Sequence, residues 1–261
     1  MKKLSITNVP VFIVSLKNSE RRNTIAKKLK GFNYEFTDAV YGKDFLSEIE
    51  ILNNNVQTRA RYKRAITPGE YGCSMSHRAI YKRMIKENID WAIILEDDVD
   101  FTFNFQMQIT ENIHNFDDNS LYLLGCQEGL PSFDHVVIGK KKVIEYKKII
   151  FRKVLKSERY VYRTAAYLIS KKTAGKILQF TENKFCLADD WFNYSRNRLF
   201  DNIFLGNFVY HPELLEGQSM IEKERLLESN LSEFRRSNLF LFLRDIKKKL
   251  RQFTIKAIFD I

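Results

Sequence analysis

The segment WAIILEDDVDF (residues 91–101) joins an apolar run directly to three adjacent carboxylates, Glu96, Asp97 and Asp98. Such a run predicts a buried strand that carries the acids to its carboxyl-terminal edge, where open α/β sheets bind ligands. Alternation along a strand would point Glu96 and Asp98 the same way and Asp97 toward the protein. Adjacent acids repel one another unless they are neutralised, and Mg²⁺ and Mn²⁺ prefer oxygen ligands. The segment predicts a divalent-metal site; the alternative is an acidic strand end that caps a helix or pairs with arginine.

The composition of the 261-residue chain limits its partners. Its formal net charge of +11 favours an anionic partner, such as nucleic acid, an acidic membrane surface or a phosphorylated ligand. The hydrophobic content of 44% is enough for a sizeable core. Three widely separated cysteines, Cys73, Cys126 and Cys186, predict reduced thiols and a cytosolic location. Because no CxxC pair occurs, the sequence argues against a structural zinc site.

The amino-terminal segment is expected to be a first strand. It contains basic residues, but its apolar stretch is short and is interrupted by Asn8 and Pro10, which is not typical of a signal peptide. No apolar run is long enough to span a bilayer.

Predicted strands alternate with predicted helices along most of the chain. Residues 11–16 form an apolar strand candidate, followed by a helix at about residues 20–30. Thr67, Pro68 and Glu70 form a capping-box pattern that predicts a helix to about residue 88. The polar segment 47–64 has no clear assignment. Further strands are predicted at residues 34–40, 91–95, 120–126, 160–170 and 203–210, and further helices at residues 171–180 and 189–198. This alternation predicts an α/β sheet.

The C-terminal segment has a different character. Residues 235–261 contain eight Lys/Arg and two Asp, a net charge of +6. Apolar residues recur there at helical spacing: Leu239, Phe242, Ile246, Leu250, Phe253 and Ala257. A basic amphipathic helix of this kind is typical of an interface with anionic lipid. The alternative is an ordinary helix packed on the domain.

A second acidic pair and several single residues are candidates for chemistry. Asp189 and Asp190 could serve general-base catalysis, or one of them could simply cap the next helix. His211 could complete a metal or phosphate site, although a loop histidine before proline is more often structural. Arg22, with Arg21, could reach an anionic ligand above the sheet, or it could lie on a solvated helix face.

His77 shares a predicted helix face with Cys73, Ile80 and Met84, which favours a core histidine. The GxGxxG, GxxxxGK[ST], GxSxG and HExxH motifs are absent.

Several segments together resemble glycosyltransferase family 25, the bacterial lipooligosaccharide galactosyltransferase group. They are VFIVSLKNSERR, YEFTDAVYGKDF, TPGEYGCSMSHRAIYKRMI, WAIILEDDV, TAAYLISKKTAGKIL, LADDW and YHPELLEGQS, in that order between residues 11 and 219. The resemblance implies a GT-A type sheet with flanking helices, a UDP-sugar donor (UDP-galactose by family), Mn²⁺ or Mg²⁺, and inverting transfer to a lipid-linked oligosaccharide such as lipooligosaccharide or lipopolysaccharide.

The resemblance also implies roles for individual residues. Asp98, Glu96 and His211 correspond to metal ligands, with Asp98 as the first choice. Asp190 corresponds to the catalytic base, with Asp189 second. Residues expected to bind the nucleotide sugar are Ser15, Leu16, Arg22, His77, Glu96 and Asp97.

These inferences together describe a peripheral membrane enzyme. Residues 1–220 are expected to form the catalytic domain and residues 221–261 a helical basic tail on the cytoplasmic face of the bacterial inner membrane. Nucleic acid is not an expected partner. Two alternatives remain: a metal-dependent phosphoryl-transfer enzyme or nuclease, because clustered acids also build two-metal sites, and a non-catalytic protein that binds anionic surfaces by charge.

Overall fold

A single mixed sheet of eight strands organises the computed structural model, which describes residues 8–211, 248–256 and 258. The strands are β1 (Val11–Ser15), β2 (Tyr34–Asp38), β3 (Trp91–Glu96), β4 (Ser120–Gly125), β5 (Ile138–Tyr146), β6 (Ile149–Val154), β7 (Ala166–Ser170) and β8 (Asn202–Val209). Their order is β2-β1-β3-β7-β4-β8-β6-β5. The β1–β2, β1–β3 and β4–β8 pairs are parallel and the other neighbours are antiparallel.

Helices flank this sheet. They are α1 (Arg21–Lys28), α2 (Leu46–Asn54), α3 (Val56–Tyr62), α4 (Pro68–Lys86), α5 (Phe105–Asn112), α6 (Lys171–Phe180) and α7 (Trp191–Arg196). The α/β architecture predicted from the alternation of strands and helices is confirmed.

The carboxyl ends of β1 and β3 lie side by side at one edge of the sheet. Val14 of β1 is in register with Glu96 of β3. β7 runs antiparallel to β3, with Ala166 opposite Leu95, so the loop before β7 meets the end of β3. The backbone N–H of Glu96 donates to the carbonyl of Ala165 over 2.8 Å. The end of β3 therefore lies between β1 and the loop that precedes β7.

The interior of β3 holds the strand in register. Ile93, Ile94 and Leu95 have no exposed surface. Ile93 and Leu95 pack with Ile13 in one buried cluster, and Ile94 packs with Met84 in the cluster on the other side of the sheet. Complete burial of each aliphatic side chain contributes roughly 1.5–3 kcal/mol relative to exposure. A one-residue slip would reverse the two faces, so the acids at the strand end have a defined position.

Helix α4 begins at the predicted capping box. The Glu70 N–H donates to Thr67 Oγ1 over 3.3 Å, and the Thr67 N–H donates to Glu70 Oε2 over 3.2 Å. Gly72 lets the first turn approach the chain before α2, because a Cβ there would lie 2.4 Å from the Val40 carbonyl oxygen. This close packing sets the position of the helix that carries Cys73 and His77.

Several elements differ from the sequence prediction. The unassigned polar segment forms α2 and α3, and the β5–β6 hairpin and α5 were not predicted. β5 contains three consecutive lysines and is largely exposed at the sheet edge. Lysine at an edge strand discourages pairing with other chains, but it also removes the apolar alternation by which a strand is recognised.

The C-terminal tail is only partly described. The boundary predicted at residue 220 and the first part of the amphipathic pattern fall within residues 212–247, outside the described residues. Residues 248–256 are helical. Ile255 is buried against Val137 and Leu155, whereas the side chains of Leu250 and Phe253 are 61% and 73% exposed. Within the described residues, no helix combines the length and apolar character needed to cross a bilayer.

Candidate active site

The three acids at the end of β3 have different partners, apart from Arg21, which lies 3.5 Å from Asp97 Oδ1 and also pairs with Asp98. Asp97 faces the end of β1: Ser15 Oγ donates to its Oδ2 over 2.6 Å, and Ser19 Oγ donates to the same atom over 3.1 Å. Its side chain is only 12% exposed. Asp97 therefore ties the β3 turn to β1 and to the segment that leads into α1.

Asp98 faces a guanidinium group and an imidazole. Arg21 donates an N–H to Asp98 Oδ2 over 2.9 Å, and His211 Nε2 lies 3.5 Å from Asp98 Oδ1. Burial acts to raise the pKa of the Asp98 carboxyl group, but His211 and Arg21 outweigh it and hold that pKa below its ordinary value. Asp98 is thus poised as a carboxylate beside a histidine.

A backbone bridge beyond β8 brings His211 to this edge. The Asp100 N–H donates to the Tyr210 carbonyl over 2.8 Å, and the Tyr210 N–H donates to the Asp100 carbonyl over 2.7 Å. These two bonds hold the residue after Tyr210 against the turn that carries Asp98.

Asp98 and His211 have the donor types that suit a divalent cation. Among the described residues, the buried Asp98 Oδ1 accepts no hydrogen bond, which is costly for a desolvated carboxylate oxygen. A cation bound by this oxygen, with His211 Nε2 as a second ligand, would remove that cost. The pair therefore fits a Mn²⁺ or Mg²⁺ site.

Glu96 belongs to a different set of contacts. Thr164 Oγ1 donates to Glu96 Oε1 over 2.6 Å, and His77 Nε2 lies 3.8 Å from the same oxygen. Ligand atoms of Cys73, His77 and Glu96 all lie within 4.8 Å of one another, which makes them a possible metal-binding group. It stays a prediction that Glu96 and Asp98 bind the same metal ion.

The second acidic pair lies where α7 begins. Arg61 Nε donates to Asp190 Oδ2 over 2.8 Å, and Tyr62 Oη donates to the same oxygen over 3.0 Å. Burial and the charge of Asp190 raise the pKa of Tyr62 above its ordinary value, so the phenol stays protonated as a donor. Burial acts to lower the pKa of Arg61, but Asp190 outweighs it and raises that pKa. Asp190 makes no side-chain cap to α7.

Asp189 is fixed by the loop before β7. The Arg163 N–H donates to Asp189 Oδ2 over 3.1 Å, and the Arg163 carbonyl accepts the indole N–H of Trp191 over 3.0 Å. Arg163 has φ +64°, a left-handed conformation that is uncommon for a residue other than glycine. Trp191 has no exposed surface. The loop and the acidic pair therefore form one firmly connected unit.

A cavity of about 770 Å³ brings four of the ten predicted site residues together. Of the predicted site residues it is lined by Glu96, Asp189, Asp190 and His211. Two half-exposed aromatic side chains, Tyr162 and Phe192, also line it, next to the acidic pair.

The remaining predicted residues, Asp98 among them, do not line this cavity. Ser15, Leu16 and Asp97 lie at the neighbouring β1 edge, where Arg22 donates to the Ser15 carbonyl over 2.8 Å. Arg22 also pairs with Asp38, and its guanidinium group lies 4.8 Å from the ring centre of Phe36. His77 is buried behind Glu96.

The partners that hold the acidic pair and Glu96 were not predicted from the sequence. Arg61 and Tyr62 come from the polar segment that had no assignment, and Arg163 and Thr164 come from the loop before β7. No local motif marks these residues, because their roles depend on contacts between distant parts of the chain.

The chain belongs to glycosyltransferase family 25. The family model described as glycosyltransferase family 25 (LPS biosynthesis protein) matches residues 8–192. The resemblance noted in the sequence is thereby confirmed, although the matched range ends before the YHPELLEGQS segment.

Curated relatives include enzymes named for galactose transfer. Procollagen galactosyltransferase 1-B of Xenopus laevis is 29% identical over 180 residues, which cover 64% of this chain and 28% of the relative. A glycosyltransferase 25 family member of Aedes aegypti is 28% identical over 179 residues, covering 65% and 28%. Procollagen galactosyltransferase 2 of Homo sapiens is 26% identical over 179 residues, covering 64% and 27%. The chain therefore spans less than a third of the length of these relatives.

Solved structures with a similar course of the chain also include glycosyltransferases. The crystal structure of a glycosyltransferase involved in the glycosylation of the major capsid of PBCV-1 has a TM-score of 0.42 and 10% identity, covering 85% of this chain and all of that one. Galactosyltransferase LgtC, in complex with donor and acceptor sugar analogues, has a TM-score of 0.35 and 11% identity, covering 89% and 99%.

Proposed function

We propose that this protein is a GT-A type glycosyltransferase that transfers galactose from UDP-galactose, with inversion, to a lipooligosaccharide or lipopolysaccharide acceptor. Membership of family 25 and the galactosyltransferase names of its relatives support the reaction class. The single observation that carries the proposal is the cavity, in which Asp189 and Asp190 share one space with Glu96 and His211.

Asp98 and His211 would hold the divalent ion that this reaction uses. A bound Mn²⁺ or Mg²⁺ would neutralise the donor diphosphate and stabilise the leaving UDP. Asp98 is suited to this because its pKa is lowered and its Oδ1 faces His211. Arg21, paired with Asp98 Oδ2, adds a second positive charge near the position proposed for the diphosphate.

The nucleotide would lie on the β1 side of this edge. Arg22 is held against Ser15 and Asp38, and Leu16 is partly exposed there. Asp97, bound to Ser15 and Ser19, keeps this edge next to the turn of Asp98. Under this proposal Ser15, Leu16 and Arg22 contact the uridine, and His77 and Asp97 act through the residues that they position.

Asp190 is the proposed base. Arg61 and Tyr62 both donate to its Oδ2, and within the described residues no group hydrogen-bonds Oδ1, so that atom can accept a proton. As the acceptor hydroxyl oxygen attacks the anomeric carbon, its proton moves to Asp190 and the bond to the phosphate oxygen breaks. One displacement inverts the anomeric centre. Asp189, which accepts the Arg163 N–H, is the second choice.

The half-exposed rings of Tyr162 and Phe192 suit a sugar acceptor. Pyranose rings have an apolar face of C–H groups that packs on aromatic rings, and both side chains line the cavity beside the acidic pair. This arrangement supports an oligosaccharide as the acceptor, and the proposal has its terminal ring bind near Asp190.

The C-terminal tail would bring the enzyme to its lipid-linked acceptor. The exposed Leu250 and Phe253 are flanked by Lys248, Lys249 and Arg251. Apolar side chains with neighbouring basic groups suit an anionic interface, and each basic residue near such a surface contributes about 1 kcal/mol. The proposed location is cytoplasmic, peripheral on the inner membrane.

A donor screen tests the reaction. Purified protein is incubated with Mn²⁺ and a panel of UDP-sugars, with and without an oligosaccharide acceptor, and release of UDP is measured. The proposal expects release with UDP-galactose that increases when acceptor is present. Cleavage of nucleic acid or of phosphate esters without turnover of any UDP-sugar would favour the phosphoryl-transfer alternative instead.

A further inference from the structure

Cys73, His77 and Glu96 form a cluster beside the proposed base, and the proposed reaction gives this cluster no chemical step of its own. Cys73 and His77 are one turn apart on α4, and Glu96 ends β3. We propose that these three side chains bind a zinc ion whose fourth coordination position faces the cavity.

The distances fit an ion of this size. Zinc bonds of about 2.0–2.3 Å with tetrahedral angles place ligand atoms roughly 3.3–3.6 Å apart. His77 Nε2 and Glu96 Oε1 are separated by 3.8 Å, and the ligand atoms of all three residues lie within 4.8 Å of one another. Shifts of a few tenths of an ångström to about 1 Å would close the cluster around one ion.

His77 provides the independent reason to expect a ligand here. Its side chain is 1% exposed, and its Nε2 has no hydrogen-bond partner among the described residues. The separation of 3.8 Å from Glu96 is too long for a hydrogen bond. A buried ring nitrogen left without a partner is costly, and a bound cation would remove that cost.

Each ligand is already oriented by a neighbour, as is usual for metal sites. His77 Nδ1 lies 2.7 Å from Tyr167 Oη, which in turn lies 2.7 Å from Tyr81 Oη. With Nδ1–H donating to Tyr167, the lone pair of Nε2 faces Glu96. Thr164 fixes the Glu96 carboxylate by its 2.6 Å hydrogen bond and contacts Cys73 Sγ at 3.6 Å.

The donor set selects the metal. A thiolate, an imidazole and a carboxylate together favour zinc over Mg²⁺, which prefers oxygen ligands alone. Cys73, Glu96 and Thr164 line the cavity, so a fourth ligand would come from that side as water or as an oxygen of a bound molecule. The CxxC spacing that the chain lacks is typical of closed, cysteine-rich structural zinc sites, whereas an open site with one cysteine does not need it.

Cadmium binding tests the site without any activity measurement. Metal-stripped full-length protein is titrated with Cd²⁺, which reports a thiolate bond by an ultraviolet charge-transfer band. We expect the band to saturate at one equivalent, to be absent in Cys73→Ser, and to require at least about tenfold more Cd²⁺ in His77→Gln. Asp98→Asn is the matched control, a neighbouring acid outside the cluster, and it should keep the band.

Alkylation of the unmodified chain provides a measurement that needs no variant. Iodoacetamide labelling of Cys73, followed by mass spectrometry, should slow by about tenfold or more when Zn²⁺ is present. An equal labelling rate with and without Zn²⁺, no Cd²⁺ band in the wild type, or a full band in Cys73→Ser would each overturn the proposal. Neither readout uses a sugar donor, so the zinc site and the proposed transferase reaction can fail separately.

Discussion

Arg61 Nε donates to Asp190 Oδ2 over 2.8 Å, a contact between residues 129 positions apart. Tyr62 donates to the same oxygen and also accepts the Leu187 N–H over 2.9 Å. The end of α3 is therefore bound to both the acid and the loop that leads to it. This connection fixes one oxygen of Asp190 and leaves the other for the acceptor hydroxyl in the proposed reaction.

Substitutions of the two acids, Asp189 and Asp190, test which of them is the catalytic base. Asp190→Asn keeps a similar shape but removes the proton acceptor, so turnover should fall by about 10²-fold or more while UDP affinity changes little. Steady-state kinetics and calorimetric UDP titration measure the two quantities. Asp189→Asn is the matched control and should lower turnover by a smaller factor. If Asp189→Asn is the more damaging change, the assignment within the pair is reversed.

Asp98 is tested through the metal. Asp98→Asn should lose nearly all transfer, because the variant loses the anionic oxygen that faces His211. Chelation with EDTA should abolish wild-type transfer, and Mn²⁺ should restore it. Transfer that continues at full rate in EDTA after exhaustive dialysis would reject a metal-dependent reaction.

Alkaline pH should unfold the protein as its buried tyrosines ionise. Burial raises the pKa of Tyr81, Tyr167 and Tyr194 above the ordinary value of 10.0. Since the folded-state pKa values are the higher ones, this contribution to stability is complete below about pH 10 and is lost as the pH rises above it. Phenolate absorbance and circular dichroism should therefore change together in an alkaline titration. Full ionisation of these tyrosines with the helical signal intact would contradict this expectation.

Substitutions at two nearby residues of the C-terminal helix distinguish membrane binding from packing on the domain. Phe253→Ser should weaken binding to anionic vesicles and leave the melting temperature nearly unchanged, because Phe253 is 73% exposed. Ile255→Ser should instead lower the melting temperature, because Ile255 packs on Val137 and Leu155. Vesicle co-sedimentation at low and high salt measures binding, which salt should weaken. Equal sedimentation of Phe253→Ser and wild type at low salt would mean that this helix does not contact the membrane.

Local signals in the sequence predicted much of the fold. The Thr67–Glu70 capping box involves neighbouring residues, so the sequence carries all the information needed to predict the start of α4. The apolar run of β3 likewise predicts a strand without any knowledge of the elements on which it packs. By contrast, α2 has four apolar residues of which only Ile49 is buried, and α3 has few apolar residues. Their position depends on contacts such as that between Tyr62 and Leu187.

The candidate site was predictable in its residue types but not in its groupings. The segment EDD indicated a ligand-binding edge, yet alternation along a strand could not predict that Glu96 faces His77 while Asp98 faces His211. Those contacts depend on how α4 and the segment after β8 pack on the edge. Arg163 has no sequence signal at all, because its left-handed backbone conformation follows from the hydrogen bonds to Asp189 and Trp191.

The backbone bridge between Asp100 and Tyr210 has a consequence for synthesis of the chain. Proteins emerge from the ribosome amino end first, and early segments begin to fold before later ones exist. Helix α1, strand β3 and the EDD turn can form early, but Asp98 has no histidine partner until residue 211 has emerged. We therefore expect nascent chains and fragments that end before β8 to be without transferase activity, even though they already contain every acid of the site.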